Sequence, residues 1–102
     1  MIFVIASIEL NPGTRDSFLR EFRQIVPLVR AEAGCIEYGP TVDATTDLPA
    51  QAPLRADCVT VVEKWESLDY LKAHLVAPHM MAYRPKVKDF VQSVKLQILE
   101  PA

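Results

Sequence analysis

The chain has 102 residues, half of them hydrophobic and 24% charged, with a formal net charge of -2. That length supports a single domain, residues 1–102, around one modest core. The slightly acidic balance supplies no field to hold a phosphate backbone, so nucleic acid is excluded as the expected partner. The longest unbroken apolar stretch, Ile2 to Ala6, is far too short to span a bilayer, so no membrane partner is expected. No Lys or Arg precedes it and no cleavage-type site follows, so no signal peptide is expected and a soluble cytoplasmic protein is the reading.

Ile2 to Leu10 reads as a strand. Ile2, Val4, Ala6, Ile8 and Leu10 share one face, and the other face, with Phe3 and Ile5, is only partly polar. Asn11-Pro12-Gly13 signals a turn, and Thr14 is placed to cap a helix carrying Asp16 in its first turn. Phe18, Phe22, Ile25 and Val29 recur at helical spacing, with Leu19 and Val26 beside them. Pro27 cannot donate to the carbonyl of Arg23, so a kink or break is expected there, and Gly34 is expected to stop the helix.

Cys35 to Asp43 reads as a second strand, with Pro40 marking a bulge or an edge. A Thr- and Pro-containing loop, Ala44 to Ala56, leads to a third strand, Asp57 to Glu66. Val59, Val61, Glu63 and Trp65 share one of its faces. Ser67 is placed to cap a helix with Leu68, Leu71 and Leu75 as its core stripe, and Pro78 ends it. A third helix starts at His79 and presents Met80, Tyr83, Val87 and Phe90, disturbed by Pro85 near Met81. Ser93 to Glu100 alternates as a last strand. The order β-α-β-β-α-β is that of an α+β, ferredoxin-like sandwich. Its uncovered sheet face would leave Ile5 and Val62 wet, so a homodimer packed sheet to sheet is expected. Cys35 and Cys58 each begin a strand. Antiparallel pairing would hold them several residues apart, so both are expected as free thiols.

Absences narrow the chemistry. There is no Gly-rich phosphate loop, dinucleotide fingerprint or nucleophile elbow, so no nucleotide cofactor is expected. The chemistry-bearing residues gather between Glu63 and Met81. His74 and His79, five residues apart across Pro78, do not match the paired-His spacing of zinc helices, and no metal is expected. Either histidine could be a general base or a surface or packing residue. Trp65 could be core or the flat wall of an aromatic-ligand pocket. Glu63 is misplaced on an apolar face unless it is paired, with Arg84 or Lys86 as partners, or lines a cavity. Burial without a partner would raise its pKa. Tyr38 and Tyr83 are candidate pocket hydroxyls, with Phe22 and Met80 as apolar lining or core.

Glu63-x-Trp65-Glu66-Ser67, Leu71-x-x-His74 and Pro78-His79-Met80 resemble the core signature of the antibiotic biosynthesis monooxygenase domain family. Glu32-x-Gly34-Cys35-x-x-Tyr38 and the first strand fit it too. Ile25-Val26-Pro27 and Ala82-Tyr83 make the chain most like that family's bacterial quinol monooxygenases. The resemblance implies a dimeric α/β barrel with a pocket between helices and sheet. It also implies oxidation of a small aromatic substrate, a quinol or polyphenol, by O₂ without metal, flavin or haem. His74 and His79 would then be catalytic, with Trp65, Glu63, Tyr83, Met80, Tyr38 and Phe22 binding substrate. Polyketide-tailoring members carry an Asn where this chain has Val61, and haem-degrading members use an Asn in the region of Ala6 and Ser7. Some relatives isomerise small carbonyl compounds, and a non-catalytic binder of small aromatic ligands is the remaining alternative.

Overall fold

The computed structural model describes residues 1–102 as β1 (Ile2–Leu10), α1 (Arg15–Arg30), β2 (Cys35–Thr41), β3 (Cys58–Trp65), α2 (Leu68–Leu75), α3 (Pro78–Val87) and β4 (Val91–Leu99). The strands form one antiparallel sheet in the order β2-β3-β1-β4. This is the α+β ferredoxin-like arrangement. No helix is long and apolar enough to cross a membrane.

The alternation in β1 decides which face is covered. Val4, Ala6, Ile8 and Leu10 are buried with Val59, Val61 and Trp65 of β3. Onto this face α1 presses Phe18, Leu19, Phe22, Ile25, Val26 and Val29, as its helical spacing predicts. The opposite face is thinly apolar: Ile5 is half-buried, Val62 is exposed, and Lys64 lies 5.5 Å over the Phe3 ring.

Pro27 does not break α1, which runs continuously to Arg30. Pro27 and Arg23 both lie on the solvent side, where water can take the carbonyl that Pro27 leaves unpaired. Pro85 sits in α3 in the same way. Neither Thr14 nor Ser67 caps its helix through its side chain; the Thr14 hydroxyl instead donates to the Asn11 carbonyl at 2.7 Å. Gly34 lies past the end of α1, in a left-handed turn with φ of 79°. There its carbonyl accepts from the Glu66 N–H at 2.9 Å and ties the turn to the end of β3.

β2 is an edge strand with a register shift between Cys35 and Glu37, in keeping with Pro40. Cys35 pairs with Trp65 at one end of β3 and Cys58 lies at the other, and both thiols are free. An Asp43–Arg55 ion pair of 2.7 Å closes the loop between β2 and β3.

Candidate active site

The helices do not reach across the whole sheet, and the space left between α1, α3 and the strands is a cavity of about 480 Å³. Such a volume suits a small ligand. Phe22, Met80 and Tyr83 supply apolar surface, Val94 and Leu96 of β4 line one side, and Tyr38, Glu63 and His74 bring polar groups. The Phe22 ring stacks on Tyr38 at 5.7 Å and meets Tyr83 edge-on at 5.8 Å. Six of the eight residues singled out from the sequence therefore share this cavity.

His74 is the polar centre. It replaces Leu68 on the buried face of α2: His74 is 2% exposed and Leu68 46%. Its ring packs 4.9 Å from the Trp65 ring and 5.4 Å from Tyr38. Its Nδ1 lies 2.7 Å from Glu32 Oε2, and the same oxygen lies 2.9 Å from His79 Nε2. A carboxylate oxygen accepts and does not donate, so each imidazole presents an N–H to it. The proton of His74 thus sits on Nδ1, leaving a lone pair on Nε2. Burial lowers the pKa of His74 and so favours the neutral ring, against the opposing pull of the Glu32 hydrogen bond.

Glu63 has no cation beside it. Its expected partner Arg84 instead donates to the Leu75 carbonyl at 2.6 Å. The Trp65 indole N–H donates to Glu63 Oε1 at 3.0 Å. Burial raises the Glu63 pKa to about 7, against the lowering effect of that hydrogen bond. Burial likewise raises the pKa values of Tyr38 and Tyr83, so both phenols stay protonated.

No side-chain nitrogen or oxygen in the protein is both sealed from solvent and unpaired. His74 Nε2 and Glu63 Oε2 make no hydrogen bond within the protein, so they open onto the cavity these residues line, and Tyr38 and Tyr83 contribute to the same lining. An apolar chamber thus holds two proton-transfer groups, with two phenols in its lining.

Two residues are placed differently from expectation. Trp65 is not a cavity wall. It is fully buried behind His74, because its position on β3 faces the helices where α2 packs down. There it backs the imidazole and ties down Glu63. His79 does not line the cavity either. It follows the Pro78 break, on the outer side of Glu32, and is 22% exposed. Glu32 was missed as a site residue by sequence reasoning. It lies outside the Glu63–Met81 stretch and is delivered by the Gly34 turn; its place in the Glu32-x-Gly34-Cys35 motif was the available signal. Glu32, His74 and His79 are also a donor set able to hold a metal, their ligand atoms lying within 4.8 Å of one another.

Comparison with known proteins agrees with this architecture. Residues 1–86 match the family described as "Antibiotic biosynthesis monooxygenase". An Escherichia coli (strain K12) protein named "Probable quinol monooxygenase YgiN" is 41% identical over 103 residues, covering 99% of this chain and 98% of that one. Among solved structures, PA3566 from Pseudomonas aeruginosa superposes with a TM-score of 0.82 at 26% identity, over 99% of this chain and 93% of that one. Rv0793 from Mycobacterium tuberculosis shares the fold, with a TM-score of 0.79 at 24% identity over 99% and 94% of the two chains. By a match across most of its length and by this full-length relative, the chain belongs to the antibiotic biosynthesis monooxygenase family.

Proposed function

We propose that this protein is a cofactor-independent monooxygenase that oxidises a quinol or polyphenol with O₂ and works as a homodimer. The observation that carries this reading is His74, whose Nε2 lone pair opens onto an apolar cavity while Glu32 holds its Nδ1–H. The name of the relative YgiN, "Probable quinol monooxygenase", supports the substrate class.

The substrate ring rests against Phe22, Met80 and Tyr83, and its phenolic O–H donates to His74 Nε2. Proton transfer leaves a quinolate, and Glu32 stabilises the imidazolium that forms. Triplet O₂ reacts one electron at a time, and the quinolate is electron-rich enough to supply the first. The semiquinone and superoxide so formed recombine at a ring carbon as a hydroperoxide. Breaking the C–H and O–O bonds then expels water and leaves a new C–O bond. The balance is quinol plus O₂ giving hydroxyquinone plus water. Glu63, with a pKa of about 7, donates or accepts a proton at the second oxygen of the ring. Glu32 and His79 are positioning residues: Glu32 fixes the tautomer of His74, and His79 holds Glu32.

Oxygen uptake by chelator-treated protein, screened against reduced quinones, tests the reading. His74→Ala should lower kcat/KM by about 100- to 10,000-fold with the fold intact. Unchanged turnover would remove His74 as the base. Quenching of Trp65 fluorescence by ligand with no O₂ uptake would instead favour a binding protein. The pairing of His74 with Glu63 in one cavity also suits an acid–base isomerase of a small carbonyl compound. Product formation under strict anaerobiosis distinguishes that chemistry.

A further inference from the structure

We infer that Glu32, His74 and His79 form an inhibitory binding site for a zinc-type transition-metal dication. Three elements converge there: the turn after α1 brings Glu32, α2 brings His74, and the first turn of α3 brings His79. His74 Nδ1 and His79 Nε2 already lie 2.7 and 2.9 Å from one carboxylate oxygen, and all three donor atoms lie within 4.8 Å of one another. Two imidazoles and a carboxylate are a common zinc donor set, with metal–ligand distances of about 2.0–2.2 Å and hence donors about 3.3 Å apart. Movements of roughly an ångström convert the present spacing into that one. His74 is fixed by burial, but Glu32 and His79 keep side-chain exposures of 14% and 22% and have room to adjust. The same exposure gives an ion a path from solvent that does not pass through the cavity. Arg84, the nearby cation, is turned onto the Leu75 carbonyl. Imidazole and carboxylate donors select zinc, nickel or copper over magnesium.

The consequence for the cavity follows from valence. A metal on His74 takes the Nδ1 lone pair, so the proton of the neutral ring must move to Nε2. Nε2 then presents an N–H to the substrate in place of a lone pair and cannot accept a phenolic proton. Metal and base therefore compete for opposite tautomers of one ring. This inhibitory step rests on the monooxygenase reading above; the binding site does not.

Titration calorimetry of EDTA-stripped protein with Zn²⁺, and visible absorption with Co²⁺, test the site. One ion should bind per chain, and Co²⁺ should give the intense bands of a tetrahedral site. Glu32→Gln and His79→Ala should each weaken Zn²⁺ by more than about 100-fold, with folding checked by circular dichroism. Cys35→Ser should leave affinity unchanged, because the thiol is no part of the donor set. No saturable Zn²⁺ binding below about 1 mM, or binding that survives both Glu32→Gln and His79→Ala, would overturn the site. Nitrogen-15 spectra of the His74 ring should report the proton moving from Nδ1 to Nε2 on Zn²⁺ binding; a ring still protonated at Nδ1 would overturn the tautomer switch. Quinol-dependent O₂ uptake should fall as Zn²⁺ saturates and return with EDTA, whereas uptake unchanged at saturation would overturn inhibition. Absence of uptake in the stripped wild type would count against the monooxygenase reading, while the calorimetry still decides the site.

Discussion

Glu63 is a carboxyl group 6% exposed whose one protein donor is an indole N–H. Its pKa is raised from 4.5 to about 7. Between those two values the folded chain keeps a proton that the unfolded chain has released. The native state binds more protons, so stability falls as pH rises through this window. The cost at high pH is on the order of 3 kcal/mol. Glu63→Gln should flatten that dependence, raising stability at about pH 8 relative to about pH 5; urea melts at the two values check it. Part of this was legible in the sequence, because a carboxylate in line with Val59, Val61 and Trp65 must be either paired or poised. Which of the two holds depends on where Arg84 points, and helical spacing does not encode that. Glu32 was harder still, since it acts through residues more than 40 positions away.

At the scale of elements, the turn at Gly34 governs the site. Its φ of 79° suits glycine, and a Cβ there would run into the Tyr70 ring and come within 2.7 Å of the Tyr70 Cβ. Tyr70 belongs to α2, the helix that carries His74. Gly34→Ala should therefore cost about 2 kcal/mol or more and lower the thermal midpoint by on the order of 10 °C. Adding Tyr70→Ala should recover only the part of the loss due to the ring, because the Cβ contact at 2.7 Å and the backbone strain both remain; thermal melts of the single and double variants will measure that part. The strands and helices themselves were legible, because period-2 and helical repeats dictate them. The effects of Pro27 and Pro85 were not, because a proline on a solvent-facing turn leaves a carbonyl that water can satisfy. The register of α2 was misread for a related reason: Leu68 is the more hydrophobic candidate, but the helix turns His74 inward to meet Glu32.

At the scale of the molecule, β4 carries a row that no helix covers. Val94, Leu96 and Ile98 pair with Ile8, Ala6 and Val4 and share their face, yet they are 54%, 45% and 38% exposed. Val94 and Leu96 also line the cavity. A second chain seated on this row would hide the apolar surface and close the chamber, which supports the proposed homodimer more strongly than the Ile5 and Val62 face does. Light scattering at micromolar concentration should give twice the chain mass, and Leu96→Glu should shift it to a monomer while weakening ligand binding. The β-α-β-β-α-β order was readable from pattern alone. The uncovered row was not, because Val94, Leu96 and Ile98 look like any buried strand face until the helices are seen to stop short of them.

The central position of β1 also bears on how the chain is made. Its two neighbours are β3 and β4, with Glu9 opposite Cys58 and Phe3 opposite Leu99. The first strand to be synthesised is thus completed by the last. Until then β1 keeps open the edge that β4 will fill, even once β3 has paired with the other, and open strand edges are where unfinished chains misassociate. Pairings this distant in sequence also slow the search for the native state. A chain of this topology therefore runs its greatest risk of misassociation between the synthesis of β1 and that of β4.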